Sequence, residues 1–197
     1  MPGEPSRYLL VPRRFNLLHN QYCNVRFSLS TFLLLVSITG LILGVALRER
    51  TNSEILIRIY SSDPTMEFES DISPLQPFLD QMDAPPTEEL LDYLENWIPK
   101  TDHEFYTGRF DNIRTMEQNS VNCAPDYTVI PLGFFPIADE GEGWKYTYCV
   151  HDRCVYLLGY LSPGEVNSVA DARSKAQERW PSLTAFLLAV EQGKLDN

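Results

Sequence analysis

Trp144–Leu158 reads WKYTYCVHDRCVYLL. Two strand-like runs, Lys145–Val150 and Cys154–Leu158, flank His151-Asp152-Arg153, which has the length and chemistry of a hairpin connection. Alternation along the first run sends Trp144, Tyr146 and Tyr148 to one face and Lys145, Thr147 and Cys149 to the other. An aromatic row of that kind packs beneath a helix or, where it stays exposed, forms a binding hot spot. Upstream, Asp139-Glu140-Gly141-Glu142-Gly143 reads as an acidic turn in which glycine supplies positive φ. Tyr127–Leu132 (YTVIPL) is β-branched, ends in Pro131 and Gly133, and predicts a further short strand.

Helical patterns bracket this region. Thr87 is a predicted N-cap, with Glu88 and Glu89 in the first turn where the helix dipole favours negative charge. Leu90, Leu91, Leu94, Trp97 and Ile98 then repeat at helical spacing up to Pro99. In the tail, Val169, Ala172, Ala176 and Trp180 share a predicted helix face. Pro181-Ser182 restarts a second helix carrying Leu183, Phe186, Leu187 and Val190, with Gly193 as its cap. Helix, antiparallel strands and helix in that order predict an α+β fold, a small hairpin-containing sheet flanked by helices.

The front of the chain has a different character. Residues 27–47, FSLSTFLLLVSITGLILGVAL, carry no charged side chain over a length that spans a bilayer, and predict one transmembrane helix. A polar lead of 26 residues is long for a cleaved signal peptide, so the helix reads as a retained anchor. Arg7, Arg13, Arg14 and Arg26 precede it, and Arg48, Arg50 and Arg58 follow. This balance leans toward a cytoplasmic N-terminus and an external or lumenal C-terminal domain. Glu54–Tyr60 (EILIRIY) fits either a short strand or a continuation of the membrane helix. Ile59–Pro99 holds ten acidic residues and no Lys or Arg, with prolines throughout. The predicted organisation is therefore a basic segment 1–26, an anchor 27–47, an acidic juxtamembrane spacer 48–73 and an α+β domain 74–197.

Composition and motifs narrow the function. Among 197 residues, 44% are hydrophobic, which excludes wholesale disorder. A formal net charge of −11 with no basic patch argues against nucleic-acid binding. Neither a Gly-x-Ser-x-Gly nor a His-Glu-x-x-His motif occurs, so no catalytic residue is assigned. Cys123, Cys149, His151 and Cys154 are zinc-donor types, but they lack paired Cys-x-x-Cys spacing, and no metal or cofactor is expected. Cys149 and Cys154 face each other across the hairpin as a candidate disulfide in an oxidising compartment.

Val129-Ile130-Pro131-Leu132-Gly133, the run Pro136-Ile137-Ala138-Asp139-Glu140-Gly141-Glu142-Gly143-Trp144, the hairpin and the closing PSLTAFLLAVEQG together resemble the later half of a SUKH-superfamily domain. The similar part runs from Val129 to Leu195. SUKH domains are α+β modules that include bacterial toxin-immunity proteins and fungal scaffold proteins. The resemblance implies a protein-binding module without catalytic residues. The expected function is thus a membrane-anchored, non-catalytic module with a protein partner, and Asp139, Glu140, Glu142, Trp144, Tyr146 and Tyr148 are its candidate binding residues. The rival reading is a membrane-tethered hydrolase or metal-dependent enzyme using the Asp139–His151 region. Convergence of those polar groups in one pocket separates the two.

Overall fold

A computed structural model describes residues 50–195 of the chain, and the segments read as 1–26 and 27–47 lie outside them. Among the described residues no helix is long and apolar enough to cross a membrane. The hairpin is present as β4 (Trp144–Cys149) and β5 (Val155–Leu158), paired antiparallel from Lys145↔Leu158 to Tyr148↔Val155. Around it the sheet grows in chain order. β1 (His103–Phe105), β2 (Gly108–Phe110) and β3 (Phe134–Gly141) lie on one side, and β6 (Glu178–Trp180) on the other. All neighbours among these six strands are antiparallel, so the fold is α+β.

The helices are α1 (Asn52–Tyr60), α2 (Gln76–Leu79), α3 (Glu88–Trp97), α4 (Ile113–Asn122), α5 (Asp126–Val129), α6 (Val169–Ser174) and α7 (Leu183–Glu191). Capping follows the sequence signals. Thr87 accepts from Leu90 N at 3.2 Å and Ser182 from Ala185 N at 3.0 Å. At the end of α7, Gly193 N reaches Val190 O and Lys194 N reaches Ala189 O, the paired bonds of a Schellman closure.

Both faces of the sheet are covered. Tyr146, Tyr148, Val155 and Leu157 belong to a core shared with α1, α3 and α7. On the other face, Cys149, Tyr156 and Leu158 pack with Val129, Leu161, Val166 and Ala172. Every residue of β5 is consequently buried.

Three sequence expectations are corrected. First, the spacer drawn over 48–73 is part of the domain. Thr51 and Glu54 form a capping box for α1, and Ile55 and Leu56 are fully buried against the core. Further along, Glu69 N donates to Ile98 O at 2.8 Å and Lys100 N to Glu67 O at 2.9 Å. The acidic side chains stay partly or fully exposed while Ile55, Leu56 and Tyr60 are buried in the core, so the domain begins before residue 74. Second, Tyr127–Leu132 is not a strand but the end of α5 followed by a 3₁₀ turn, Ile130–Leu132. Pro131 lacks the N–H that a ladder position needs. Gly133 then turns the chain at φ +78°, where a Cβ would stand 2.8 Å from both Asp83 Oδ1 and His151 Nε2. Third, the helix expected to run to Trp180 stops at Ser174. Gln177 N donates to Leu157 O at 3.0 Å, and Trp180 pairs with Val155 in β6. Pairing with the β5 edge overrides local helical propensity there.

Ile55→Ala and Leu56→Ala should each lower the unfolding free energy by about 2–5 kcal/mol in urea titrations. A spacer residue would show almost no change.

Candidate functional site

The registers of β2, β3 and β4 place three charged residues in a row across the sheet: Arg109 opposite Asp139, and Asp139 opposite Lys145. Lys145 is only 3% exposed. Its Nζ lies 2.6 Å from Asp139 Oδ2 and 3.4 Å from Asp111 Oδ2. Arg109 completes the frame from the outer side, with Nε 2.7 Å from Asp111 Oδ1 and Nη2 3.3 Å from Asp139 Oδ2. Asn119 of α4 donates to Asp111 Oδ2 at 3.1 Å, and Gly141 N donates to Asp139 Oδ1 at 2.7 Å. Each carboxylate of the row therefore has donors on both oxygens.

Asp126 of α5 stands with this group and is not satisfied in the same way. It is 1% exposed and its Oδ1 has no hydrogen-bond partner. Burial pushes its carboxyl up to about 7; Lys145 opposes the rise, while Asp111 and Asp139 add to it. Burial also raises Asp111, against the pull of Lys145 and Arg109. For Lys145, burial pulls downward, but the attraction of Asp126, Asp111 and Asp139 prevails and holds it above the ordinary lysine range.

Outside the row, the β1–β2 and β3–β4 turns stand side by side and enclose a cleft of about 700 Å³. Glu104, Asp139, Glu140 and Glu142 line it with Arg109, and Tyr106, 80% exposed, stands at its rim. Three of the expected binding residues, Asp139, Glu140 and Glu142, are thus brought together.

The other three are not on this surface. Tyr146 is 2% exposed and packs on Phe186 (ring centroids 4.9 Å apart) and Trp180. Tyr148 is fully buried, its hydroxyl 3.0 Å from Glu89 Oε2 and 3.0 Å from Thr87 Oγ1, and burial raises its pKa. Trp144 is partly buried against the core, with its ring beneath Gly159, where a Cβ would lie 2.8 Å away. The aromatic row is packing, because helices cover the face from which it projects.

The remaining candidates also fall into place. Cys149 and Cys154 are free thiols. Their backbones meet through Cys149 N and Cys154 O at 2.9 Å, a hydrogen-bonded position rather than the closer kind that suits a cross-strand disulfide. Their sulfurs instead accept from Arg173 Nη2 at 3.6 Å and Arg179 Nη2 at 3.0 Å. His151 pairs with Asp83 at 2.9 Å, beyond the end of β4 opposite to Asp139 and Lys145, so the Asp139–His151 residues do not converge. Cys123 contacts Asn119 at 3.4 Å. Among the described residues no group of three or more His, Cys, Asp or Glu is arranged to hold a metal ion.

Sequence reasoning missed Glu104, Tyr106, Arg109, Asp111, Asp126 and Lys145. One signal was present for Lys145: Asp139 and Lys145 are equidistant from Glu142 at the centre of the turn, so counting outward pairs them. No local signal marks Asp111 or Asp126, which arrive from elsewhere in the chain.

No protein-family model, curated protein or solved structure matches this chain.

The Asp126 carboxyl has a testable cost. Its pKa is higher in the folded state than in the unfolded chain, where 3.8 is usual. Folding is therefore unpenalised below about pH 4; the penalty grows as pH rises to about 7 and is constant above that. Asp126→Asn removes the titration, so its stability advantage over the wild type should grow across that window by at most about 4 kcal/mol and then level off. An offset independent of pH would contradict this assignment.

Proposed function

We propose that the domain is a non-catalytic binding module for a basic, lysine- or arginine-rich protein segment, held at a membrane by residues 27–47. The observation that carries this reading is the cleft of two adjacent β-turns, where Glu104, Glu140 and Glu142 stand beside an Asp139 already held by Arg109 and Lys145, with Tyr106 exposed on its rim. Residues 50–195 carry 24 acidic and 11 basic side chains, so the field around the cleft attracts cationic partners before contact. Asp139 is pre-positioned by Lys145 and loses little freedom on binding, whereas a flexible surface carboxylate would lose more. A lone exposed tyrosine beside carboxylates suits both the apolar stem and the charged head of a long basic side chain. The resemblance to SUKH domains points the same way, toward a module whose partners are proteins. Anchoring would raise the effective concentration of the cleft for partners on the same surface without adding contacts.

Full-length protein in detergent micelles should bind an end-capped octalysine peptide, and Glu140→Lys/Glu142→Lys should weaken binding at least tenfold at low salt, read by calorimetry. Tyr106→Ala should weaken it several-fold. Equal affinity in the charge-reversed protein would refute the cleft as the binding surface. In parallel, the expressed full-length chain should stay with the membrane pellet after carbonate washing; recovery in the supernatant would remove the anchor.

A further inference from the structure

The strand registers carry the charged row to the rim of the sheet. Phe105 and Gly108 close the β1–β2 turn as a pair, so their backbone polar groups face each other. Glu104, one position on and opposite Arg109, then has its N–H and C=O directed away from β2. The same alternation holds on the inner side, where Arg109 is the residue through which β2 meets Asp139 of β3. β1 is the outermost strand on its side, and among the described residues no backbone hydrogen bond is made to the outer edge of Glu104. An unused donor and acceptor therefore stand at an open edge.

The side chains on this face alternate in sign from strand to strand: Glu104 on β1, Arg109 on β2, Asp139 on β3 and Lys145 on β4. The guanidinium of Arg109 is turned to Asp111, Asp139 and Asp102. Glu104, exposed at the end of the row, has no ion pair among the described residues. Two positions away on either side lie Asp102, whose Oδ1 accepts from Asn112, and the exposed Tyr106. The opposite side of the edge is a hollow of about 210 Å³ walled by Ile59, Ser62 and Val190, with Arg58 and Glu191 paired across it. Glu104 and Phe105 line both this hollow and the acidic cleft, so the edge of β1 joins the two.

We propose that the basic segment binds as an added antiparallel strand on the open edge of β1, with a lysine or arginine directly opposite Glu104. The proposal rests on the reading of the acidic cleft as the docking surface and adds the partner's conformation and spacing to it. The residue opposite Glu104 exchanges two backbone hydrogen bonds with it and sets a cation beside its carboxylate, which continues the alternation of the row. Residues two positions away project on the same face, toward Asp102 and Tyr106. Those in between fall over the hollow, where short uncharged side chains fit and a further cation would meet Arg58. The partner thus carries a basic residue at every second position. A second copy of this chain is a poor occupant, because pairing β1 with β1 about Glu104 sets like charges opposite each other.

Two end-capped heptapeptides of one composition test this, Lys-Thr-Lys-Thr-Lys-Thr-Lys and Lys-Lys-Lys-Lys-Thr-Thr-Thr, titrated calorimetrically at low salt into the full-length protein in micelles. The alternating peptide should bind about fivefold tighter or more, whereas attraction by charge alone would make the block peptide at least as tight. Saturation with the alternating peptide should slow hydrogen exchange of the Glu104 amide by about tenfold or more. Glu104→Ala should weaken binding about threefold through the lost carboxylate. Glu104→Pro also removes the outward N–H, a change that an edge strand accepts, and should weaken it about threefold again. The peptide pair and the Glu104 amide decide the matter in the wild type whether or not Glu104→Pro folds. If the block peptide binds as tightly, if the Glu104 amide exchanges at an unchanged rate, or if a folded Glu104→Pro binds like Glu104→Ala, strand addition falls while the acidic cleft stands. If neither peptide binds, both fall together.

Discussion

A lysine ammonium buried in the middle of a β-sheet holds this domain in the form described. Withdrawing Lys145 from water is costly, and the cost is offset only because Asp139 and Asp111 meet its Nζ and are themselves held by Arg109, Asn119 and the backbone of Gly141. Such a pair is weak evidence for stability in itself, since apolar side chains of the same volume often serve as well. What the ion pairs supply is position. They join β2, β3, β4 and α4 at one point, and β2 touches β3 in only one register pair, Arg109 with Asp139. The junction adds to the apolar anchoring of β1 and β2, where Phe110 is fully buried and Phe105 packs on Tyr146.

The two faces of the sheet consequently do different work. One carries Tyr146, Tyr148, Val155 and Leu157 into an apolar core closed by α1, α3 and α7, which supplies the burial that folding needs. The other carries Lys145, Thr147 and Cys149, and there the packing is mixed with polar groups that must find partners. Thr147 finds Tyr156 O at 3.2 Å; Asp126 does not find one for Oδ1. Asp126 Oδ1 is one of four buried side-chain atoms without a partner among the described residues, with Thr107 Oγ1, Thr128 Oγ1 and Arg173 Nε.

The sequence made the centre of the fold legible because the hairpin is built from short-range signals: alternation over Lys145–Val150, a connecting triplet, and caps at Thr87, Ser182 and Gly193 that sit beside the elements they end. It misled where long-range contacts decide. Helix α1 looked like spacer because acidic neighbours hide two fully buried residues, Ile55 and Leu56, and Trp180 looked helical because its strand partner is Val155. The site divides the same way. Asp139, Glu140 and Glu142 were visible as an acidic turn within five consecutive residues, and the structure keeps them together. Tyr146 and Tyr148 alternated as a binding face would, but alternation reports a shared face and not whether a helix covers it. Asp111 and Asp126 reach Lys145 across 34 and 19 positions of chain, a distance at which no local pattern speaks.

Where a cationic ligand touches the domain separates a binding surface from ion pairs that only order the fold. Backbone amide shifts of the full-length protein in micelles, followed by NMR as octalysine is added, measure this directly. The perturbations should gather on residues 104–109 and 139–143, leaving the outer surfaces of α1 and α3 and the Asp83–His151 end of the hairpin unchanged. Shifts centred on those other surfaces, or spread evenly over every acidic side chain, would mean that the buried lysine orders a fold and not a binding surface.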